Sequence, residues 1–160
     1  MKHRIVDGPL GTMTLVVTDA GALAGLYLHE QKYHPDAAEF GERNDTVAED
    51  AVQQLAEYFA GRRTSFELAL DPHGTEFQRT VWAALREIDY GSTETYGALA
   101  QRIGSPRSSR AVGAATGRNP ISIIVPCHRL VGASGQLTGY AGGLDRKRWL
   151  LEHEAGDVLI

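Results

Sequence analysis

The chain has 160 residues, of which 42% are hydrophobic, and its formal net charge at pH 7 is -4. This length suits one compact unit or two small subdomains with a real hydrophobic core. The single cysteine, Cys127, excludes an intramolecular disulfide, while the charged N-terminus and the lack of a long apolar run exclude a signal peptide and a membrane span. We therefore expect a soluble protein of the cytoplasm with no membrane partner.

The charges are distributed unevenly along the chain. Residues 1–71 contain 6 Lys and Arg against 12 Asp and Glu, whereas residues 72–160 contain 10 against 8. No acidic residue occurs from Thr95 to Leu144, although this window contains arginines at positions 102, 107, 110, 118 and 129. A positive window of this kind suggests a polyanionic partner, and a solvated surface is the alternative.

The first part of the sequence predicts a small structural α/β subdomain. Residues 11–18 and 22–28 flank an Asp-Ala-Gly turn and predict a β-hairpin, whereas the polar residues 29–45 predict a loop. None of these residues forms an obvious chemical constellation, so a structural role is favoured for this part of the chain.

A helix is predicted after this loop. Thr46 and Glu49 have the spacing of a capping box, and Gly61 marks the end of the helix. Its apolar stripe consists of Val47, Val52, Leu55 and Phe59. Residues 64–70 then predict a further strand.

A turn-rich sequence at 71–74 marks the predicted boundary between an N-terminal subdomain, 1–71, and a C-terminal one, 72–160. Thr75 and Gln78 have the spacing of a second capping box, so a helix is expected to begin there. Apolar residues then repeat at helical spacing and predict a core-facing stripe: Phe77, Val81, Leu85 and Ile88, with Trp82 beside them.

Two short helices follow, over 95–103 and from Ser105-Pro106 to about Thr116, with Gly104 between them. This is the pattern of a helix-turn-helix, whose second helix meets DNA. The second helix has small side chains around Arg110, which suits close approach to a minor groove with one intercalating side chain better than base reading in the major groove. A helix packed inside the protein is the alternative, although it accounts poorly for Arg110.

The apolar residues 121–125 predict a strand that leads into Pro-Cys-His-Arg. Cys127 is followed by His128 and Arg129, and either cation would favour the reactive thiolate. A buried core cysteine is the alternative.

Glycines between 132 and 143 can bring backbone N–H groups close to a ligand, or form only a mobile loop. A last helix, which we expect Asp145 to cap, ends in Glu-His-Glu at 152–154, and a carboxylate from it is a candidate to orient His128.

These motifs resemble the O6-alkylguanine-DNA alkyltransferase family. The similarity covers Asn-Pro followed by Ile-Ser-Ile-Ile-Val-Pro-Cys-His-Arg, then Gly-Tyr-Ala-Gly-Gly-Leu and Trp-Leu-Leu-Glu-His-Glu, and extends from about Gly74 to Glu154. The resemblance implies an α+β protein with an N-terminal ribonuclease-H-like subdomain containing an antiparallel sheet. It also implies a C-terminal helical subdomain containing a winged helix-turn-helix.

The resemblance also implies roles for single residues. Cys127 would accept the alkyl group, His128 would take the thiol proton through a water, and Glu154 would orient that histidine. Asn119 would brace the active-site turn, and Tyr96 would help to rotate the nucleotide and donate a proton toward the guanine ring. The implied DNA-binding residues are Arg110, which fills the vacated place in the stack, Tyr96, Ser109, Thr116 and Arg118. The implied substrate-binding residues are Leu130, Tyr140, Ala141 and Gly142.

The implied function is repair of double-stranded DNA by one irreversible alkyl transfer per molecule from O6-alkylguanine, with O4-alkylthymine as a further substrate to consider. A monomer without a cofactor or a metal is expected, and cooperative binding along DNA is left open. Two alternatives remain: a non-catalytic alkyltransferase-like protein that binds DNA lesions, and a thiol hydrolase that uses Cys127 with His128.

Overall fold

The computed structural model describes residues 1–156, which form two compact units. Of the described residues, the first unit contains Met1–His73 together with Pro120–Ser122, and the second contains Gly74–Asn119 and 123–156. The first unit therefore continues to His73 rather than ending at Asp71. It also recruits a short segment from the middle of the second half, which nothing in the sequence had indicated.

A four-stranded sheet forms the centre of the first unit. Its strands are β1 (Lys2–Gly8), β2 (Gly11–Val17), β3 (Leu23–Leu28) and β4 (Glu42–Arg43), in the order β3-β2-β1-β4. The predicted hairpin is present, since β2 and β3 pair antiparallel, as do β1 and β2. The short edge strand β4 pairs parallel with β1, so the sheet is not wholly antiparallel. Strand β1 was not predicted, because its mixed polar residues lack a clear strand pattern.

Helix α1 (Glu49–Phe59) packs on one face of this sheet. The contact is close, because a Cβ added at Gly8 would lie 3.0 Å from Met13 Cε and 3.5 Å from the Phe59 ring. The predicted helix exists, but its capping box does not: Ala48 precedes the helix at φ 56°, and the Thr46 hydroxyl donates to Asn44 Oδ1 instead. The strand predicted at 64–70 is also wrong, because within it only Leu70 forms a bridge, to Leu23.

The second unit is helical. It contains α2 (Glu76–Leu85), α3 (Tyr96–Arg102), α4 (Ser109–Gly117) and α5 (Leu144–Glu154), with a small parallel pair of strands, β5 (Glu94–Thr95) and β6 (Leu130–Val131). The capping box of Thr75 and Gln78 is confirmed, with both reciprocal hydrogen bonds present. The buried Trp82 indole donates to the carbonyl of Ala115 over 2.8 Å and fixes α2 against α4.

Three predictions for the second half are wrong: where α4 begins, which residue caps α5, and the strand at 121–125. Helix α4 begins at Ser109 because Ser105 forms a separate turn, in which its carbonyl accepts from the Ser108 N–H. Asp145 lies inside the first turn of α5, and Gly143 occupies the cap position without a side-chain hydrogen bond. Residues 121–125 form turns after one bridge from Ile121 to Leu26, and Ile123 has φ 73°. Their apolar character reflects burial rather than extended backbone.

Among residues 1–156, no helix combines the length and the hydropathy needed to cross a bilayer.

Candidate active site

Cys127 begins a short 3-10 turn, Cys127–Arg129, whose three residues are all buried. The Asn119 side-chain amide holds the approach to this turn, since Nδ2 donates to the carbonyl of Val125 over 2.9 Å and the side chain also hydrogen-bonds to Cys127. The Cys127 N–H donates to the same carbonyl of Val125 over 2.8 Å. Ile123, a β-branched residue with a left-handed backbone conformation, lies two residues before Val125. Such strained residues persist only where the surrounding structure holds the backbone, and they cluster at functional sites. The Cys127 thiol therefore has a defined position.

The Cys127 thiol is protonated in this resting protein. Burial raises its pKa to about 11, and the hydrogen bond with Asn119 and the positive charge of Lys147 only partly oppose this effect. The expectation that the neighbours His128 and Arg129 favour the thiolate is therefore wrong for the free protein, because neither contributes to the Cys127 shift. Ionisation needs a base that takes the proton.

His128 is placed to be that base. Its Nε2 donates a hydrogen bond to Glu154 Oε2 over 2.7 Å, because an ionised carboxylate can only accept. Burial lowers the pKa of His128 although Glu154 acts in the opposite direction, so the imidazole is neutral. Nδ1 then carries a free lone pair, and this buried atom has no hydrogen-bond partner among the described residues. The side chain can accept one proton at Nδ1.

Arg129 fixes the other end of this pair. Its Nε and Nη2 donate to the two oxygens of Glu154 over 2.8 and 3.0 Å, and its Nη1 donates to the carbonyl of Ile88 over 2.6 Å. Burial alone would raise the pKa of Glu154, but the hydrogen bonds from His128 and Arg129 and the charge of Arg129 outweigh burial and hold it well below its usual value. Arg129 therefore serves the carboxylate rather than the thiol, a role that the sequence analysis missed.

Tyr96 opens helix α3, and its hydroxyl lies 3.3 Å from the carbonyl of Thr138. Thr138 belongs to the glycine-containing loop 132–143 between β6 and α5, which also contains the partly buried Tyr140, Ala141 and Gly142. Leu130 is fully buried at the start of β6. The structure thus brings Tyr96 to the loop that carries most of the predicted substrate-binding residues.

Lys147 is a second residue that the sequence analysis missed. Its side chain is 0% exposed, and Nζ donates to the carbonyls of Leu130, Thr138 and Gly139 over 2.5, 2.7 and 3.3 Å. Burial lowers the pKa of Lys147 to about 8, while Cys127 acts in the opposite direction. A signal was present, because Lys147 precedes Leu150 and Glu154 by three and seven residues and so shares the buried face of α5 with them.

Helix α4 presents a polar surface around Arg110. Ser109, Arg110 and Arg118 are exposed, and Arg110 makes no hydrogen bond or ion pair within residues 1–156. Thr116 does not share this surface: it is only 6% exposed, and its hydroxyl donates to the carbonyl of Val112 over 2.7 Å. A DNA contact by Thr116 stays a prediction, and its buried side chain does not itself support it.

The positive window is narrower than the sequence indicated. Arg102 pairs with Glu87 and Glu94, which lies just before the acid-free window, and Arg129 is buried on Glu154. Besides Arg102, whose charge is paired, the exposed arginines of the window are those at 107, 110 and 118. In the part of the chain that the structure describes, no group of three or more His, Cys, Asp or Glu side chains is arranged to hold a metal.

Comparisons with known proteins cover both units. The family described as 6-O-methylguanine DNA methyltransferase, ribonuclease-like domain, matches residues 1–72, and its DNA binding domain matches residues 76–156. The methylated-DNA--protein-cysteine methyltransferase of Mycolicibacterium paratuberculosis is 51% identical over 96% of this chain and 92% of its own length. The enzyme of that name from Methanosarcina acetivorans is 47% identical over 96% and 98%.

Solved structures agree with these matches. The crystal structure of Mycobacterium tuberculosis OGT in complex with DNA superposes with a TM-score of 0.89 at 46% identity and covers 98% of this chain and 94% of that one. The O6-methylguanine-DNA methyltransferase of Pyrococcus kodakaraensis gives a TM-score of 0.58 at 26% identity, with 95% and 98% covered. Both halves of the sequence and the whole fold therefore lead to one conclusion: this chain belongs to the 6-O-methylguanine DNA methyltransferase family.

Proposed function

We propose that this protein repairs DNA directly, by moving the alkyl group from O6 of an alkylated guanine to Sγ of Cys127, once per molecule. The observation that carries the proposal is the buried Cys127 in a turn braced by Asn119, beside the hydrogen-bonded pair of His128 and Glu154. Family membership and this arrangement support the same chemistry.

The first part of the reaction creates the nucleophile. The thiol proton of Cys127 passes through a bridging water to Nδ1 of His128, the buried ring nitrogen whose lone pair is available. The carboxylate of Glu154 stabilises the imidazolium that forms, and Arg129 keeps that carboxylate ionised and in place. General-base activation of this kind is typical of catalytic thiols and hydroxyls.

The second part releases the base. A bond forms between Sγ of Cys127 and the alkyl carbon as the bond from that carbon to O6 breaks, and the electron pair stays with the guanine. The Tyr96 hydroxyl gives a proton to the guanine ring, and the proton held by His128 restores the phenol through solvent. The backbone around Leu130 and the loop residues Tyr140, Ala141 and Gly142 would bind the guanine edge.

The product explains why each molecule would act once. A thioether is stable to hydrolysis, and Cys127 is the only cysteine of the sequence, so no second thiol is available to remove the alkyl group. A non-catalytic lesion-binding protein would have no use for a cysteine braced in this way, and this alternative is not favoured. A thiol hydrolase would need to release its product, which a thioether on Cys127 does not permit.

Helix α4 is the proposed DNA contact. Arg110 would enter the stack from the minor groove and replace the extruded nucleotide, as intercalating side chains of other DNA-binding proteins do. Ser109 and Arg118 are exposed on the same helix and at its end, where they can reach phosphates. The small residues of α4 would allow the close approach that the minor groove requires.

The protein would act in the cytoplasm as a monomer, with alkylated double-stranded DNA as its partner. Fractionation of cells that produce the protein, followed by size-exclusion chromatography with and without duplex DNA, tests both statements. A protein recovered with membranes, or an elution volume of a stable dimer without DNA, would contradict them.

Intact-protein mass spectrometry tests the function itself. The protein is mixed with duplex DNA that contains one O6-methylguanine, and peptide mapping locates any added mass. We expect one methyl in place of one hydrogen, on Cys127 alone, with the yield limited to one methyl per protein molecule. The Cys127→Ser variant should bind the same DNA and gain no mass.

The other outcomes separate the alternatives. Binding to the modified DNA without any mass gain by the native protein would support the lesion-binding alternative and overturn the transferase. Release of methyl groups in excess of protein would show turnover, as a hydrolase requires. Repeating the measurement with ethyl and benzyl adducts and with O4-methylthymine defines the range of substrates.

A further inference from the structure

Lys147 is a buried cation without a carboxylate partner among residues 1–156. Its side chain is 0% exposed on α5, and its three hydrogen bonds go to backbone carbonyls rather than to an anion. Burying an ammonium group costs free energy unless all its N–H donors are hydrogen-bonded. A buried cation without an anionic partner therefore contributes little to the stability of the folded protein. A methionine of similar size would fill the same space without that cost. The lysine therefore calls for another explanation.

The three carbonyls belong to two segments that both contribute to the site. Leu130 follows the Cys127–Arg129 turn directly, while Thr138 and Gly139 lie in the loop 132–143. One nitrogen atom of Lys147 thus connects the segment that carries the thiol to the loop. The three N–H bonds of an ammonium group match three acceptors, so all its donors are used.

The carbonyl of Thr138 has a second partner. It lies 3.3 Å from the Tyr96 hydroxyl and 2.7 Å from Lys147 Nζ, so both groups meet at one oxygen. The Thr138 hydroxyl also lies 3.4 Å from the Tyr96 hydroxyl. If the loop moved away from Leu130, the hydrogen-bond partners of Tyr96 would move with it. The position of Tyr96 therefore depends on Lys147 through one shared carbonyl.

We propose that Lys147 is a positioning residue, whose ammonium group joins the Leu130 carbonyl to the loop carbonyls of Thr138 and Gly139 and so holds Tyr96 in register with Cys127. The proposal rests on the proposed function, because it assigns Lys147 to the same alkyl transfer. Its charge has a second effect at this place, since it favours the thiolate of Cys127 and opposes protonation of His128.

Two uncharged variants separate positioning from charge. Lys147→Met removes the charge and every N–H donor, whereas Lys147→Gln removes the charge but keeps an NH2 group that can hold part of the loop. Arg148→Met is the matched control, because the neighbouring Arg148 is exposed and, among residues 1–156, pairs only with Asp145 over 3.9 Å. Circular dichroism first establishes that each variant is folded.

Two measurements are made on each full-length variant. One is the rate of methyl transfer from O6-methylguanine in duplex DNA under single-turnover conditions, and the other is hydrogen exchange of the peptide that covers residues 132–143. We expect Lys147→Met to transfer about hundredfold more slowly, at the lower end of the range for losing a well-placed proton donor, because Tyr96 is displaced rather than removed. The transfer rate of Lys147→Gln should lie between those of Lys147→Met and the native protein. Protection of residues 132–143 from hydrogen exchange should follow the same order, and the affinity for DNA should not change.

Three results would overturn the proposal. Transfer by Lys147→Met at the native rate would remove any role of this residue. Equal transfer rates for Lys147→Met and Lys147→Gln would show that Lys147 acts through its charge and not through its hydrogen bonds. Unchanged hydrogen exchange of residues 132–143 would show that Lys147 does not hold this loop. Failure of the proposed function itself is a different result, because the native protein and Arg148→Met would then acquire no methyl group. Should Lys147→Met not fold, the rate and exchange of Lys147→Gln decide the matter.

Discussion

His128 donates a hydrogen bond from Nε2 to Glu154 Oε2 over 2.7 Å, and neither side chain is more than 1% exposed. Because Arg129 binds both oxygens of the same carboxylate, Glu154 has a donor on each side and remains ionised in the folded protein. The orientation of His128, the proposed base, therefore depends on the negative charge of the Glu154 carboxylate.

The first prediction concerns this charge. Glu154→Gln should lower the free energy of unfolding at pH 7 by about 3 kcal/mol, since it leaves Arg129 as a buried charge without its partner. The pKa of Glu154 is held below its value in the unfolded chain, so its stabilising contribution is complete above about pH 4.5 and is lost as the pH falls below this value. Urea denaturation at pH values from 7 to 3 measures both effects.

The difference between the native protein and Glu154→Gln should accordingly narrow as the pH falls below 4.5. Glu57→Gln is a suitable control, because Glu57 pairs with Arg63 in the first unit with both side chains at least one quarter exposed. A difference that stays constant down to pH 3 would contradict the assignment of this acid sensitivity to Glu154.

The second prediction concerns the resting thiol. Burial raises the pKa of Cys127 from 9.0 to about 11, which lowers its thiolate fraction at neutral pH about hundredfold. Iodoacetamide should therefore modify the folded protein far more slowly than the urea-unfolded protein at pH 7. The rate for the folded protein should continue to rise with pH beyond 9, where the unfolded rate begins to level off. Mass spectrometry of quenched samples follows the reaction, and a fast reaction of the folded protein at pH 7 would show that the thiolate exists before DNA binds.

The sequence predicted features that depend on local rules. The capping box of Thr75 and Gln78 involves residues only three apart, so its hydrogen bonds could be predicted from spacing alone. Thr46 and Glu49 have the same spacing without forming a box, because the Thr46 hydroxyl donates to Asn44 and the helix begins later. Residues 121–125 were misjudged because a continuous apolar run indicates burial but has no period that separates a strand from buried turns. Local sequence patterns therefore predicted the helices more accurately than the buried turn that leads to Cys127.

The site shows the same distinction. Cys127 and His128 are adjacent in sequence, and their chemistry could be read directly, whereas Glu154 lies 26 residues beyond His128 and entered through a family resemblance. Arg129 was assigned to the thiol because sequence adjacency does not give side-chain direction. Lys147 was overlooked because a lysine in a helix is normally solvated, and only the folded loop supplies the three carbonyls that bury it.

The third prediction tests the brace of the active-site turn. Asn119→Ala removes one of two donors to the Val125 carbonyl, which keeps the Cys127 N–H, and it also removes the hydrogen bond with the buried Cys127 thiol. We expect the free energy of unfolding to fall by about 1–3 kcal/mol, the usual cost of an unsatisfied buried group, and methyl transfer to slow as well. Asn44→Ala, which removes hydrogen bonds to Thr46 in the first unit, should leave the transfer rate unchanged. If Asn119→Ala transferred methyl groups at the native rate, Asn119 would contribute to the stability of the fold and not to the reaction.

The fourth prediction concerns Arg110, which is exposed and makes no hydrogen bond or ion pair with the described residues. Extrusion of a base from a duplex costs a few kcal/mol, whereas a free alkylated guanine needs no extrusion. Arg110→Ala should therefore slow transfer from duplex DNA by about tenfold to hundredfold and leave transfer from the free base nearly unchanged.

Arg107→Ala is the matched control, since it removes one exposed charge close to α4 without removing the proposed intercalating side chain. It should weaken duplex binding modestly and lower the dependence of affinity on salt, as the loss of one phosphate contact does. Equal losses of transfer rate on duplex DNA and on the free base for Arg110→Ala would contradict the stacking role and assign Arg110 to the chemistry or to the fold.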